Sequence, residues 1–198
     1  MELIETENVP TAFAAMVVDT APQSIALSGG ELAKQCYESL AQTAFDWSRV
    51  DVFFGDERKV PLDHPDSNGG MARKVLFSHV RPRAVHFMQD ADEYDRLIAS
   101  TPPIDLVHLG MGSDGHTASL FPGSPALDVQ DRFVVETGDD LHPHRRLTFT
   151  FPAIARARLV IVTVGEEKRA TLEKVRAGED LPATRIRAER VVWLVGPH

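Results

Sequence analysis

A chain of 198 residues with 43% hydrophobic content has enough apolar material for one sizeable core. Its formal charge of −8 argues against nucleic-acid or anionic membrane surfaces as partners, while a few local Arg or Lys residues can still hold a small anion. The single cysteine, Cys36, excludes an intrachain disulfide framework and a zinc-thiolate site.

Apolar runs alternate with helical spacings along the chain. The opening MELIETENVP has no basic region followed by an apolar run, so no signal peptide is expected. Thr11 to Asp19 reads as a short helix stopped by Pro22, and Ser24 to Leu27 as a strand entering Ser28-Gly29-Gly30. Glu31 to Gln42 follows as a helix, with Leu32, Cys36, Tyr37 and Leu40 at helical spacing, which makes Cys36 a small apolar residue on a packed face. Val50 to Phe54 predicts a strand, Gly55 to Ser67 a polar loop, Gly70 to Phe77 a helix, His86 to Met88 a short strand and Asp92 to Ser100 a helix.

Ile104 to Leu109 predicts a buried strand that runs into a glycine-rich loop. Arg132 to Glu136 and Arg146 to Phe151 have strand composition, and Leu159 to Val164 is β-branched almost throughout. Glu166 to Ala177 reads as a helix and Val191 to Val195 as a last strand. Alternating strands and helices imply βαβ units and a mainly parallel sheet. No repeat, low-complexity tract or dividing linker interrupts residues 1–198, so a single domain is expected, and no apolar run approaches the roughly 20 residues of a membrane span. These features together lead us to expect a cytoplasmic protein.

Ligands of open α/β sheets bind outside the carboxyl ends of the strands. Four predicted strands end in chemistry: Ser28-Gly29-Gly30, Gly55-Asp56-Glu57-Arg58, Gly110 to His116, and Gly165 to Lys168. They should line one edge of the sheet. Gly110-Met111-Gly112-Ser113-Asp114-Gly115 matches the dinucleotide pattern G-x-G-x-x-G, but that fingerprint needs a long following helix, and Pro122-Gly123 stops one after about two turns. His116 is the best general-base candidate, because imidazole both takes and returns a proton near neutrality. Gly29 and Gly30 opening a helix can cradle a phosphate with free backbone N–H groups, and Arg146 and Lys168 are candidate anion contacts. His142-Pro143-His144 has no acid cluster nearby in sequence, so no metal site is expected.

Taken together, LSGG (27–30), VDVFFGDERKVPLDHPDSNGGMA (50–72), DLVHLGMGSDGHTASLFPG (105–123), RLTFT (146–150) and VGEEK (164–168) resemble the 6-phosphogluconolactonase family. The resemblance implies a three-layer αβα sandwich with a mainly parallel, Rossmann-like sheet, related to sugar-phosphate isomerases. It implies hydrolysis of 6-phosphoglucono-1,5-lactone without metal or organic cofactor, by a monomer or small homo-oligomer. On the matching positions, His116 is the base that activates water and Asp114 orients substrate or histidine. Arg58 lies near the substrate, and Gly29, Gly30, Arg146 and Lys168 hold the 6-phosphate.

Where relatives continue Ser-Gly-Gly with Ser-Thr-Pro, this chain has Glu31-Leu32-Ala33, which removes hydroxyls and adds a negative charge beside the expected anion. The segments before Ser28 and after Trp193 are shorter than usual, so oligomer contacts are expected to differ. Two alternatives remain at this point. An amino-sugar-phosphate isomerase or deaminase would use Asp56 or Glu57 as its base, and the Ala118-to-Gly123 continuation disfavours it. A non-catalytic sugar-phosphate sensor would carry a DNA-binding module, which the sequence lacks.

Overall fold

The computed structural model describes residues 1–138 and 143–197. Seven strands form one wholly parallel sheet: β1 (Glu2–Glu5), β2 (Ser24–Leu27), β3 (Asp51–Phe54), β5 (Ala84–Val85), β6 (Leu106–Gly110), β9 (Leu159–Val164) and β10 (Arg190–Val195). Their spatial order is β1-β10-β9-β6-β2-β3-β5. All six residues of β9 are buried, as expected of a central parallel strand covered on both faces. A second, antiparallel sheet joins β4 (Asp56–Arg58), β8 (Arg146–Phe149) and β7 (Val134–Thr137) in the order β4-β8-β7.

Among the described residues six α-helices accompany the sheets: α1 (Val9–Thr20), α2 (Glu31–Leu40), α3 (Asn68–Val75), α4 (Ala91–Ser100), α5 (Phe151–Ala155) and α6 (Arg169–Arg176). Three start at side chains suited to capping, which satisfy N–H groups that a first turn leaves free. Asn8 Oδ1 accepts from the N–H of Thr11, Ser67 Oγ from that of Gly70, and Asp90 Oδ1 from that of Glu93, each at 2.9 Å. No helix among the described residues is long and apolar enough to cross a membrane.

The alternating pattern is borne out, with local corrections. β1 is an additional strand that the polar N-terminal residues concealed; it gains its place by pairing with β10. Asp56–Arg58 is a strand rather than part of a loop, because it pairs with β8. The short strand after α3 lies at Ala84–Val85, ahead of His86, whose ring instead stacks on Phe53 at 4.7 Å. β8 ends at Phe149, and Phe151 begins α5 with Pro152 in its first turn, where a missing N–H costs nothing. Glu166–Lys168 forms a 3₁₀ turn, so Lys168 precedes α6.

The chain runs outward from β2 through β3 to β5 in one direction, and from β6 through β9 to β10 in the other. The reversal therefore lies between β2 and β6, where a crevice opens at the carboxyl ends of both strands. A buried polar chain stiffens this point. Tyr37 Oη accepts from the N–H of Ser28 at 2.6 Å and lies 2.8 Å from His108 Nδ1, while His108 Nε2 lies 3.0 Å from Thr163 Oγ1. Burial depresses the His108 pKa to about 3, so the ring is neutral, and burial pushes the Cys36 thiol up to about 12, leaving it an inert packing group.

Candidate active site

At that crevice lies a cavity of about 150 Å³. Ser28, Gly29 and Gly30 line it after β2, Asp56 and Arg58 on β4, Gly110 to Gly112, His116 and Ala118 after β6, Arg146 on β8, and Lys168 after β9. All four strand ends that the sequence singled out meet here. A larger cavity of about 690 Å³ opens at the opposite, amino-terminal ends of the strands, beside Ser24, Asp51, Leu159 and Arg190. Its arginines are engaged by carboxylates: Arg83 by Asp51, Arg158 by Asp105 and Arg190 by Glu2.

The loop carrying His116 is a set of tight turns with no helix behind Gly115, which removes the dinucleotide reading. The N–H of Gly112 donates to the carbonyl of His116 at 2.9 Å, and that of Gly115 to the carbonyl of Gly112 at 3.0 Å. Thr117 Oγ1 ties the loop to Gly110, and Thr171 Oγ1 ties Ser113 to α6. Gly112 is required by close approach: a Cβ there would land on the imidazole nitrogen Nδ1 of His116.

Asp114 contacts both the ring and the backbone of His116. Its Oδ1 lies 2.6 Å from His116 Nδ1 and also accepts the His116 backbone N–H at 3.1 Å. Burial raises the Asp114 carboxyl, but the hydrogen bonds and charge of His116 outweigh it and hold the group below its ordinary range. With Nδ1 engaged, a neutral ring leaves its lone pair on Nε2. The ring packs on Phe121 with centroids 4.6 Å apart, and the Arg146 guanidinium lies 5.5 Å from the same Phe121 ring.

Arg58 and Arg146 are direct register partners across β4 and β8, which brings two guanidinium groups to one wall. Arg58 Nη1 donates to the Asp66 carbonyl and to Asn68 Oδ1, each at 2.8 Å, and its buried Nε has no hydrogen-bond partner among the described residues. Asn68 also donates through Nδ2 to the Asp56 carbonyl at 2.9 Å and to Asp56 Oδ1 at 3.2 Å. Asn68 and Ser119 are the supports that sequence reasoning missed. Asn68 lies inside a segment already noted, but nothing in its spacing announced that it would bracket Arg58.

The two carboxylates after β3 have separate fates. Glu57 accepts from the N–H groups of Arg58, Asn68 and Gly69 and from the Ser67 hydroxyl, at 2.7 to 3.0 Å. It thus serves the start of α3 and lies outside the cavity lining. Burial raises its carboxyl despite the four donors. Asp56 does line the cavity, and its Oδ2 accepts from Ser119 Oγ at 2.7 Å.

A family model described as glucosamine-6-phosphate isomerases/6-phosphogluconolactonase matches residues 6–193. The chain belongs to this family. One relative, a 6-phosphogluconolactonase of Synechocystis sp., is 41% identical over a 211-residue alignment that covers 94% of this chain and 87% of the relative. The crystal structure of a Thermotoga maritima 6-phosphogluconolactonase superposes with a TM-score of 0.86 at 30% identity and covers 99% of both chains. A monomeric glucosamine-6-phosphate deaminase superposes with a TM-score of 0.82 at 19% identity, which is a likeness of fold. The sandwich expected from the family resemblance is the architecture observed.

Every site residue expected from the isomerase/lactonase family pattern reaches this crevice: Gly29, Gly30, Arg58, His116, Arg146 and Lys168 line it, and Asp114 stands behind His116. Glu31 departs from the family pattern, yet its side chain is 70% exposed and turns along α2, 3.6 Å from Lys34 and 3.3 Å from Gln35 Nε2. It is not part of the cavity lining. The His142-Pro143-His144 motif is only partly covered, since His142 lies outside the described residues. His144 meets an acid after all: its Nε2 is 2.8 Å from Asp66 Oδ2.

Proposed function

We propose that this chain hydrolyses 6-phospho-D-glucono-1,5-lactone to 6-phosphogluconate in the oxidative pentose phosphate pathway, with water activated by His116. The observation that carries the reading is that His116, held by Asp114, shares one cavity with Arg58, Arg146 and Lys168. A lactone carbonyl is already electrophilic, so an activated water suffices and no covalent nucleophile, metal or organic cofactor is needed. His116 Nε2 takes a proton from water as its oxygen adds to C1. The imidazolium, steadied by Asp114, then returns the proton to the ring oxygen as the C1–O bond breaks. Backbone N–H groups of the glycine loop are the available donors for the tetrahedral oxyanion.

In this reading the 6-phosphate lies among Gly29, Gly30, Arg146 and Lys168, with Arg58 bound to the polyol. Holding the remote phosphate fixes C1 against the water and lowers the entropic part of the barrier. The enzyme would act in the cytoplasm, with neither nucleic acid nor membrane as partner, as a monomer or small homo-oligomer. The test is release of acid from freshly generated 6-phosphogluconolactone above the spontaneous rate. His116→Ala should retain binding of 6-phosphogluconate and lose roughly 10²- to 10⁴-fold in kcat. Undiminished turnover in that variant would sink the assigned role.

An isomerase or deaminase reading rests on Asp56, the one carboxylate in the cavity lining among the described residues. Its oxygens already accept from Ser119 and Asn68, which suits a fixed support better than a proton shuttle. Deuterium incorporation at C2 of an amino-sugar phosphate in heavy water would favour that reading over the lactonase.

A further inference from the structure

Outside the cavity, two segments bring three ligand-type side chains together. His64 and Asp66 lie in the turn between β4 and α3, where the His64 N–H donates to the Pro61 carbonyl and the Ser67 N–H to the His64 carbonyl. His144 stands just before β8, the strand paired with β4. One donor atom from each of the three lies within 4.8 Å of the others. We propose that His64, Asp66 and His144 form a binding site for a divalent first-row transition ion, with Zn²⁺ as its type.

The donor set favours that class. Imidazoles and a carboxylate suit Zn²⁺, Ni²⁺ and Co²⁺, whereas Mg²⁺ prefers an all-oxygen shell. Tetrahedral Zn²⁺ with ligands at about 2.0–2.1 Å needs donor atoms roughly 3.3 Å apart. The present separations bracket that value: His144 Nε2 to Asp66 Oδ2 is 2.8 Å and His64 Nδ1 to Asp66 Oδ2 is 3.9 Å. The two rings stand edge to face with centroids 5.2 Å apart, so small rotations adjust the donors without moving the backbone. The ion would displace the His144–Asp66 hydrogen bond and the weak one from the Asp66 N–H to His64 Nδ1. One water molecule would complete its tetrahedral shell.

The site has a structural consequence. Arg58 Nη1 donates to the backbone carbonyl of Asp66, not to its carboxylate, whose hydrogen-bond partner is the proposed ligand His144. An ion bound there clamps the turn that follows Arg58 and β4 to the segment that leads into Arg146 and β8. Its place outside the cavity makes it a support and not part of the lactone chemistry. The Arg58 charge opposes the ion and keeps its affinity below that of closed structural zinc sites.

The experiment is calorimetric titration of the chelator-treated 198-residue chain with ZnCl₂, alongside thermal unfolding with and without Zn²⁺. The wild type should bind one Zn²⁺ saturably, gain thermal stability from it, and show no matching response to MgCl₂. His64→Ala and His144→Gln should weaken Zn²⁺ binding at least tenfold, the glutamine keeping a hydrogen-bonding group beside Asp66. His116→Ala should bind Zn²⁺ as the wild type does, which separates this site from the Asp114–His116 pair. Absence of saturable binding, undiminished affinity in His144→Gln, or loss of binding in His116→Ala would each overturn the proposal.

Discussion

The carboxylate of Asp114 grips both the ring nitrogen Nδ1 and the backbone N–H of His116 through the same oxygen, Oδ1. One atom therefore sets the loop conformation and the imidazole tautomer together. Asp114→Asn keeps the shape but replaces a charged acceptor with a neutral amide that can flip and present its donors to Nδ1. The imidazolium formed after proton abstraction then loses its counter-charge. We expect kcat to fall by an amount at the lower end of the roughly 10²- to 10⁴-fold range of general-base catalysis, with KM little changed. Steady-state kinetics check this, and a change confined to KM would mean that Asp114 serves substrate binding instead.

Gly29 supports the site through absence of a side chain. A Cβ at this position would land inside the Asn68 carboxamide that brackets Arg58. Gly29→Ala must therefore displace Asn68 or the Ser28–Gly30 turn, at about 1–3 kcal/mol for overpacking of this kind. KM for the phosphorylated lactone should rise because two parts of the cavity lining, the Ser28–Gly30 turn and Arg58, shift. The double variant Gly29→Ala/Asn68→Ala should be no worse than Asn68→Ala alone, since the clash is gone. Additive losses in stability and KM would show that the alanine acts elsewhere.

These supports explain which parts of the site could be read from sequence. His116, Gly29, Gly30, Arg146 and Lys168 sit at or beside strand ends, and strand ends are marked by abrupt changes from apolar runs to glycine and charge. β9 is equally legible because six consecutive buried residues leave a continuous apolar run. Asp56–Arg58 carries no such mark: three charged residues become a strand only because β8 pairs with them. Ser119 reaches Asp56 across 63 positions of chain, a contact that no local pattern encodes. The polar β1 likewise depends on an edge supplied by β10.

Glu31 illustrates the opposite error, a local departure whose consequence the fold reduces. Its charge follows Gly29 and Gly30 of the cavity lining, but its side chain lies along α2 beside Lys34 and Gln35. Acids at a helix start interact with the macrodipole by about 0.3–1 kcal/mol, and solvent screens their effect on a nearby phosphate. Glu31→Ser should accordingly lower KM by no more than about 5-fold at low salt, with kcat unchanged and the difference shrinking as salt is added. A salt-independent drop of about 10-fold or more would show that Glu31 faces the bound anion directly.

Beneath the cavity, His108 couples the fold to pH. The ordinary value of 6.5 falls to about 3 in the folded protein because burial disfavours the charged ring. Above pH 6.5 the ring is neutral in both folded and unfolded chains and adds no pH dependence. Below it the unfolded chain takes a proton that the folded one refuses, so stability is lost as pH falls toward 3. One such proton corresponds to about 1.4 kcal/mol per pH unit across most of that window. His108→Gln keeps polar atoms between Tyr37 and Thr163 but cannot bind the proton. Its stability from urea unfolding should therefore fall less steeply with acid than that of the wild type, by about that slope between roughly pH 6 and 4. Parallel curves for the two proteins would mean that His108 is charged, or solvated, in the folded state.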